Sequence, residues 1–141
     1  MELNPQILGR AENAHRALLE RVLAGTGVSY GGWIALSLAA GGNDPSREQL
    51  LERMSGALKV DRASAQQILA RLAAAKLLEP MPGDDSPARL SGTGQELYRQ
   101  ARAEIAEIIA RVYSDTSPED LETAGRVLIA LTARAESELS S

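Results

Sequence analysis

The chain has 141 residues, the length of a single domain, and 44% of them are apolar, enough for a real core. It has no cysteine and one histidine, His15, which excludes a disulfide scaffold, a thiol redox switch, a zinc-thiolate centre and a His-rich metal site. The formal net charge of −4 argues by itself against nucleic acid, but the surplus of acid lies entirely in residues 91–141, which hold nine acids and five bases.

Only 3% of the residues are aromatic, with one Trp and no Phe. The core is therefore built of Leu, Ile, Val and Ala, which favours helix over sheet. No cationic-then-apolar leader is visible, and no apolar run reaches the roughly 20 residues of a membrane span. The expectation is a soluble cytoplasmic protein without a cofactor, a metal or a membrane partner.

In chain order, Ile7, Leu8, Ala11, Leu18, Leu19, Val22 and Leu23 recur at helical spacing and predict a helix from Pro5 to about Ala24, ended by Gly25 and Gly27. Ser29 is placed to cap a second helix carrying Trp33, Ile34, Leu36 and Leu38, which closes at Gly41, Gly42 and Asn43. A third helix starts at Ser46, where Gln49 three residues on completes a capping box. Leu50, Leu51 and Met54 supply its buried face, and Gly56 marks its weakening or end. Asp61 caps the next helix, which reaches about Lys76. Its Ala65, Ile68, Leu69 and Leu72 form one narrow apolar stripe.

After Lys76 the pattern changes. Leu77–Glu79 and Ala88–Leu90 are short strand candidates around a turn cluster with Pro80, Pro82, Gly83, Asp84, Asp85, Ser86 and Pro87. Together they predict a small β-hairpin, a wing. Ser91 and Thr93 open a long helix to about Tyr113, with a seam of Leu97, Tyr98, Ala101, Ile105, Ile108, Ile109 and Val112. Ser117, Pro118, Glu119 and Asp120 are a strong start signal for a last helix bearing Leu121, Ala124, Val127, Leu128, Leu131 and Leu139.

The fourth helix carries the functional signal. At about 100° per residue, the face opposite its apolar stripe collects Ala63, Gln67, Ala70 and Ala74, flanked by Ser64, Gln66 and Arg71. No carboxylate stands on it. Small residues let a backbone approach a major groove, glutamine can bond adenine bidentately, and serine can bond bases or phosphates. Arg62 in the first turn suits a phosphate. A plain solvated helix face would use the same residue types. Helix, short turn, helix and Pro/Gly-rich hairpin is, however, the order of a winged helix-turn-helix.

With these elements in place the sequence resembles the MarR family of bacterial transcription regulators. VDRASAQQILARLAAAKLLEP followed by ARLSGTGQELYRQARAEI resembles the family's recognition helix, wing and following helix. VSYGGWIALSLAA resembles its second helix, and SPEDLETAGRVLIALTARAESEL its last. The likeness spans roughly residues 5–139.

It implies a mainly α fold: a winged helix-turn-helix with long N- and C-terminal dimerisation helices and a small β-hairpin wing. Residues 1–141 would form a single domain, with about 5–28 and 94–139 as dimerisation helices and about 29–93 as the winged lobe. It also implies a homodimer on a pseudo-palindromic double-stranded DNA operator. Carried over by position, Arg62, Ser64, Gln66, Gln67 and Arg71 would be the recognition-helix contacts, and Ser46, Lys59 and Arg89, the one basic residue near the wing, are further candidates for DNA binding. A small aromatic effector is implied near His15, Tyr30 and Trp33, acting on a repressor; the plainer reading of these residues has Trp33 in the core and His15 on the surface. The alternative is a helical protein-interaction or anti-regulator module on the same fold with weakened DNA binding.

The chain departs from the family at two places. The wing tip has two acids and no arginine, where family wings carry an Asp-x-Arg-type turn. The segment Ser55–Lys59 is longer than the family's tight turn, so either the third helix is extended or the turn bulges. Catalysis is not expected. The acid pairs Asp84–Asp85 and Glu119–Asp120 fall in a turn and a helix cap, and His15 has no evident catalytic partner.

Overall fold

A computed structural model describes residues 1–141. The helices are α1 (Pro5–Leu23), α2 (Tyr30–Ala40), α3 (Arg47–Leu58), α4 (Arg62–Ala74), α5 (Gly92–Tyr113) and α6 (Pro118–Leu139). The chain divides within α5 into two compact units, Met1–Ala106 and Glu107–Ser141. No helix is long and apolar enough to cross a membrane.

The first unit is built on α2, α3 and α4, which pack on one another. Leu36, Leu50, Leu51, Met54 and Ala65 are wholly excluded from solvent at their centre. Each of these helices has a side-chain cap that satisfies an otherwise orphaned amide. Ser29 accepts from the Gly32 N–H at 3.0 Å and Asp61 from the Ser64 N–H at 2.8 Å. Ser46 accepts from the Gln49 N–H at 3.1 Å while the Gln49 side chain accepts from the Ser46 N–H at 3.0 Å, which completes the capping box. At the start of α2, Gly31 faces Ile68 and Gly32 faces Leu72. A Cβ on Gly31 would stand 2.8 Å from the Ile68 Cδ1, so α2 crosses α4 closely here and a side chain at this position would have to turn the end of Ile68 aside.

Gly56 does not end α3, contrary to the sequence expectation. The helix continues to Leu58 and stops where Lys59 turns left-handed, at φ 55°. Gly56 is exposed with open space around its Cα, so no neighbour forces a break there. The longer Ser55–Lys59 segment is thus an extended helix and not a bulged turn. At the far end of α4, Lys76 is left-handed at φ 61°. Its N–H donates to Ala73 O, and the Leu77 N–H donates to Leu72 O, which is a Schellman stop.

The wing is smaller than the sequence predicts. Leu77–Glu79 and Ala88–Leu90 do not form an extended ladder; Pro87 bridges to Ser46 instead, and pairing between the two segments shrinks to one antiparallel bridge, Leu78 to Leu90. The Glu79 N–H to Arg89 O bond and the Ser91 N–H to Leu77 O bond flank it. In this register Pro87 stands opposite Met81 and has no N–H to donate, and the Ala88 N–H goes to Pro45 O, so the ladder does not continue. The tip folds back on the start of α3. Ser86 O accepts from the Arg47 N–H at 2.8 Å, Asp84 O accepts from the Glu48 N–H at 3.1 Å, and the Ala88 N–H donates to Pro45 O at 2.8 Å.

Ser91 joins the wing to α5. Its hydroxyl donates to Lys76 O at 2.7 Å and accepts from the Gly94 N–H at 3.0 Å. Ala101 is buried, and Leu97, Tyr98 and Ile105 pack on the core. In α1, Asn4 caps the first turn by accepting from the Ile7 N–H at 2.9 Å, and Pro5 sits at the first helical position.

The second unit holds the end of α5 and all of α6. Ser117 accepts from the Asp120 N–H at 3.1 Å, and Pro118 opens the helix as its sequence predicts. No residue of α6 is buried. Val127, Leu128 and Leu131 are each about two-fifths exposed, and Ile129 and Leu139 are each 73% exposed. These apolar side chains are exposed on α6.

Candidate nucleic-acid interface

Helix α4 buries Ala65, Leu69 and Leu72 and turns the opposite face outward. Ala63, Gln66, Gln67, Ala70, Arg71 and Ala74 are exposed, and Ser64 is half-buried. The structure therefore gathers the residues singled out on the fourth helix onto one accessible face without a carboxylate of its own. The face is rigid because its buried side is locked in the core. An exposed helix carrying amides and one guanidinium can enter a major groove and form bidentate hydrogen bonds to bases.

Arg62, at the first position of α4, is not an open cation. Its Nη1 and Nη2 each donate to Glu48, to Oε1 and Oε2, both at 2.6 Å. Arg62 lowers the Glu48 pKa, chiefly through that hydrogen bond, and Glu48 raises that of Arg62 in the same way. Asp61 also lies below its usual carboxylate range, because it accepts from the Ser64 backbone and side chain.

The other predicted contacts are engaged too. Ser46 is the cap of α3, a half-buried residue that bridges to Pro87 of the wing. Lys59 donates from Nζ to Gly56 O at 2.6 Å, across the end of its own helix. Arg89 pairs with Asp44 at 3.5 Å. Arg47, which sequence reasoning passed over, pairs with Asp84 of the wing tip at 3.1 Å. The partners of Arg47 and Arg89 lie far apart from them in sequence, so no local spacing rule could have revealed those pairs.

The three residues considered for an effector do not converge. Trp33 is in the core, stacked on Tyr98 with ring centroids 4.8 Å apart. His15 is exposed, and its Nδ1 lies 2.7 Å from Ala11 O. Tyr30 alone of the three lines a cavity of about 850 Å³, together with Arg16, Leu23, Val28, Leu58 and Ile68. The Arg16 guanidinium stands 4.3 Å from the centre of the Tyr30 ring, and its Nε is 3.6 Å from Glu20. Arg16 was legible only as a helix-surface cation, since its partner ring belongs to the next helix.

No protein-family model matches the sequence, and no curated protein matches it. Solved structures do. Ligand-free NadR superposes with a TM-score of 0.76 at 18% identity, over 92% of this chain and 95% of that one. The Staphylococcus aureus MarR solved with salicylate and kanamycin gives 0.73 at 18% identity, over 95% of each chain. A Mycobacterium tuberculosis MarR-family protein solved with DNA gives 0.69 at 18% identity, over 93% of this chain and 98% of that one. The architecture is a mainly α winged helix-turn-helix with a reduced wing. It is the fold of the MarR-family transcription regulators.

Proposed function

We propose that the protein is a sequence-specific double-stranded DNA-binding transcription regulator, acting in the cytoplasm as a homodimeric repressor. The observation that carries this reading is the outward face of α4, small and carboxylate-free, with Gln66, Gln67 and Arg71 exposed on a helix anchored by its opposite side. In this reading Gln67 and Arg71 contact bases. Ser64 and Gln66 contact bases or phosphates, and Arg62, Ser46, Lys59 and Arg89 contact the backbone at the edges.

The dimer is supported by the exposed apolar surface of α6, because isologous pairing of two copies is the simplest way to remove it from water. Two recognition helices related by a two-fold axis read a pseudo-palindrome. The cavity beside Tyr30 supports a small aromatic effector; Arg16, which stands over the Tyr30 ring and pairs with Glu20, would have to turn from these partners to meet an acidic group, and Glu12 and Glu20 line the same cavity. The Staphylococcus aureus protein of this fold was solved with salicylate, an acidic aromatic of this kind.

A second reading is a helical protein-interaction module of the same fold with weakened DNA binding. It is favoured by one observation: Arg47, Arg62 and Arg89 each meet a carboxylate of their own chain. Fluorescence anisotropy with fragments of the protein's own upstream region at two salt concentrations separates the two. Tight, salt-sensitive binding to one fragment supports the regulator. Equal weak binding to every fragment rejects it.

A further inference from the structure

The surface that α3, the start of α4 and the wing present together holds Arg47, Arg62 and Arg89, and each is paired with an acid. Two of these pairs are single contacts of the ordinary surface kind, at 3.1 and 3.5 Å. The third is different. Glu48 takes both terminal nitrogens of Arg62 at 2.6 Å, from another helix and 14 residues away.

A guanidinium binds a phosphate or a guanine edge best through a fork of two parallel N–H donors. In Arg62 the terminal fork is already filled. The filled pair is also neutral, so in that state it displaces no counterion from DNA. Glu48 is not needed to cap α3, because Ser46 and Gln49 complete the capping box between them. Its backbone N–H is taken by Asp84 O, whether or not the side chain is charged.

We propose that Glu48 is an internal competitor for DNA at Arg62. Its carboxylate occupies the fork that a phosphate or base would use, and so it holds the affinity of the lobe down. Arg62 engages DNA only when the Glu48 pair opens, and the acid partners of Arg47 and Arg89 act in the same direction more weakly. This rests on the DNA-binding reading above and adds to it a residue outside the recognition helix that sets affinity. It also reconciles a carboxylate-free helix face with a neutral lobe: the reading face is left clear, and the flanking cations are held in reserve.

The test is Glu48→Gln, which keeps shape and removes the charge, measured by anisotropy on the best-binding upstream fragment across a salt series. Arg62→Gln and the double variant are measured alongside, with thermal melts to verify folding. The expected result is about fivefold tighter binding by Glu48→Gln, the scale of releasing one exposed ion pair. The plot of log affinity against log salt should steepen by about 0.9, the value of one added phosphate contact. The gain should vanish in the Arg62→Gln background. Unchanged or weaker binding by folded Glu48→Gln overturns the proposal, since it would make Glu48 a support for Arg62 or a bystander. A gain that persists without Arg62 overturns it as well. If wild type binds selectively and Glu48→Gln fails to tighten, the competitor alone is rejected. If neither protein selects any fragment, the DNA reading falls with it.

Discussion

Gly94, in the first turn of α5, lies so close against the carbonyl of Leu77 that any side chain there would collide with the backbone of the wing's first strand. This close approach fixes where the long helix leaves the lobe. The Ser91 hydroxyl ties the same junction to Lys76 O, at the stop of α4. The end of α4, the wing and the start of α5 therefore meet at one closely packed point. Gly94→Ala should destabilise the fold by about 3 kcal/mol, the upper range of overpacking, because the obstacle is backbone and cannot rotate away. A thermal or urea melt checks it, and a loss below about 1 kcal/mol would show that the junction yields.

Trp33 and Tyr98 form the stacked pair that joins α2 to α5. Trp33→Ala removes a buried ring and leaves a cavity, so stability should fall by about 3 to 5 kcal/mol. Because Trp33 does not line the cavity beside Tyr30, Tyr30→Ala should leave the emission of this single Trp nearly unchanged while weakening binding of an acidic aromatic. The emission spectrum of Tyr30→Ala against wild type, and calorimetric salicylate titrations of both variants, decide between the positions. Salicylate binding abolished in a folded Trp33 variant but retained in Tyr30→Ala would reverse the assignment.

The apolar surface of α6 predicts an oligomer that charge will disrupt. Ile129 and Leu128 are adjacent and exposed. Leu128→Glu with Ile129→Glu should convert a dimer into monomers in sedimentation or light scattering while the helical circular dichroism of the chain persists. A wild-type protein that is monomeric at tens of micromolar would contradict the dimer.

Acid should loosen the Glu48–Arg62 pair in a defined direction. Arg62 holds Glu48 below its ordinary value of 4.5 in the folded chain, so the pair's contribution to stability is complete above that value. It is lost as pH falls through the lowered folded value. The melting temperature of wild type should therefore exceed that of Glu48→Gln near neutral pH, and the two curves should converge under acid. Parallel curves at every pH would show that the pair adds nothing.

The α4 face can be tested without touching the core. Gln67→Ala with Arg71→Ala should weaken DNA binding by about 1 to 3 kcal/mol for each base that is no longer read, with the dimer intact. Unchanged affinity would move the reading surface elsewhere.

Much of the fold was legible because its signals are local. Ser29, Ser46, Asp61 and Ser117 each cap the helix that their sequence context predicts, and the periodic stripe of α4 is the face it buries. Gly56 misled because its helix is closed three residues on by Lys59, whose left-handed turn no propensity would favour. The wing's strands are shorter than their apolar pattern suggests because Pro87 cannot donate to a ladder and the Ala88 N–H goes to Pro45 O. In the candidate site, the face of α4 followed from helical geometry alone. The charge pairs did not. Arg62 finds Glu48 and Arg47 finds Asp84 only once α3, α4 and the wing are assembled. For the same reason Arg16 becomes a cavity residue only when α1 is brought beside Tyr30.

The central claim is that the face of α4 reads double-stranded DNA as one of a symmetric pair. A protection footprint on the upstream region of the protein's own gene tests it most directly. The account predicts two protected half-sites of inverted sequence, centred about one helical turn apart, roughly 10 base pairs or a multiple of that. It also predicts that both disappear in the Gln67→Ala, Arg71→Ala protein. Absence of any protected site at concentrations where the protein is dimeric, or a footprint unchanged in that variant, would contradict it.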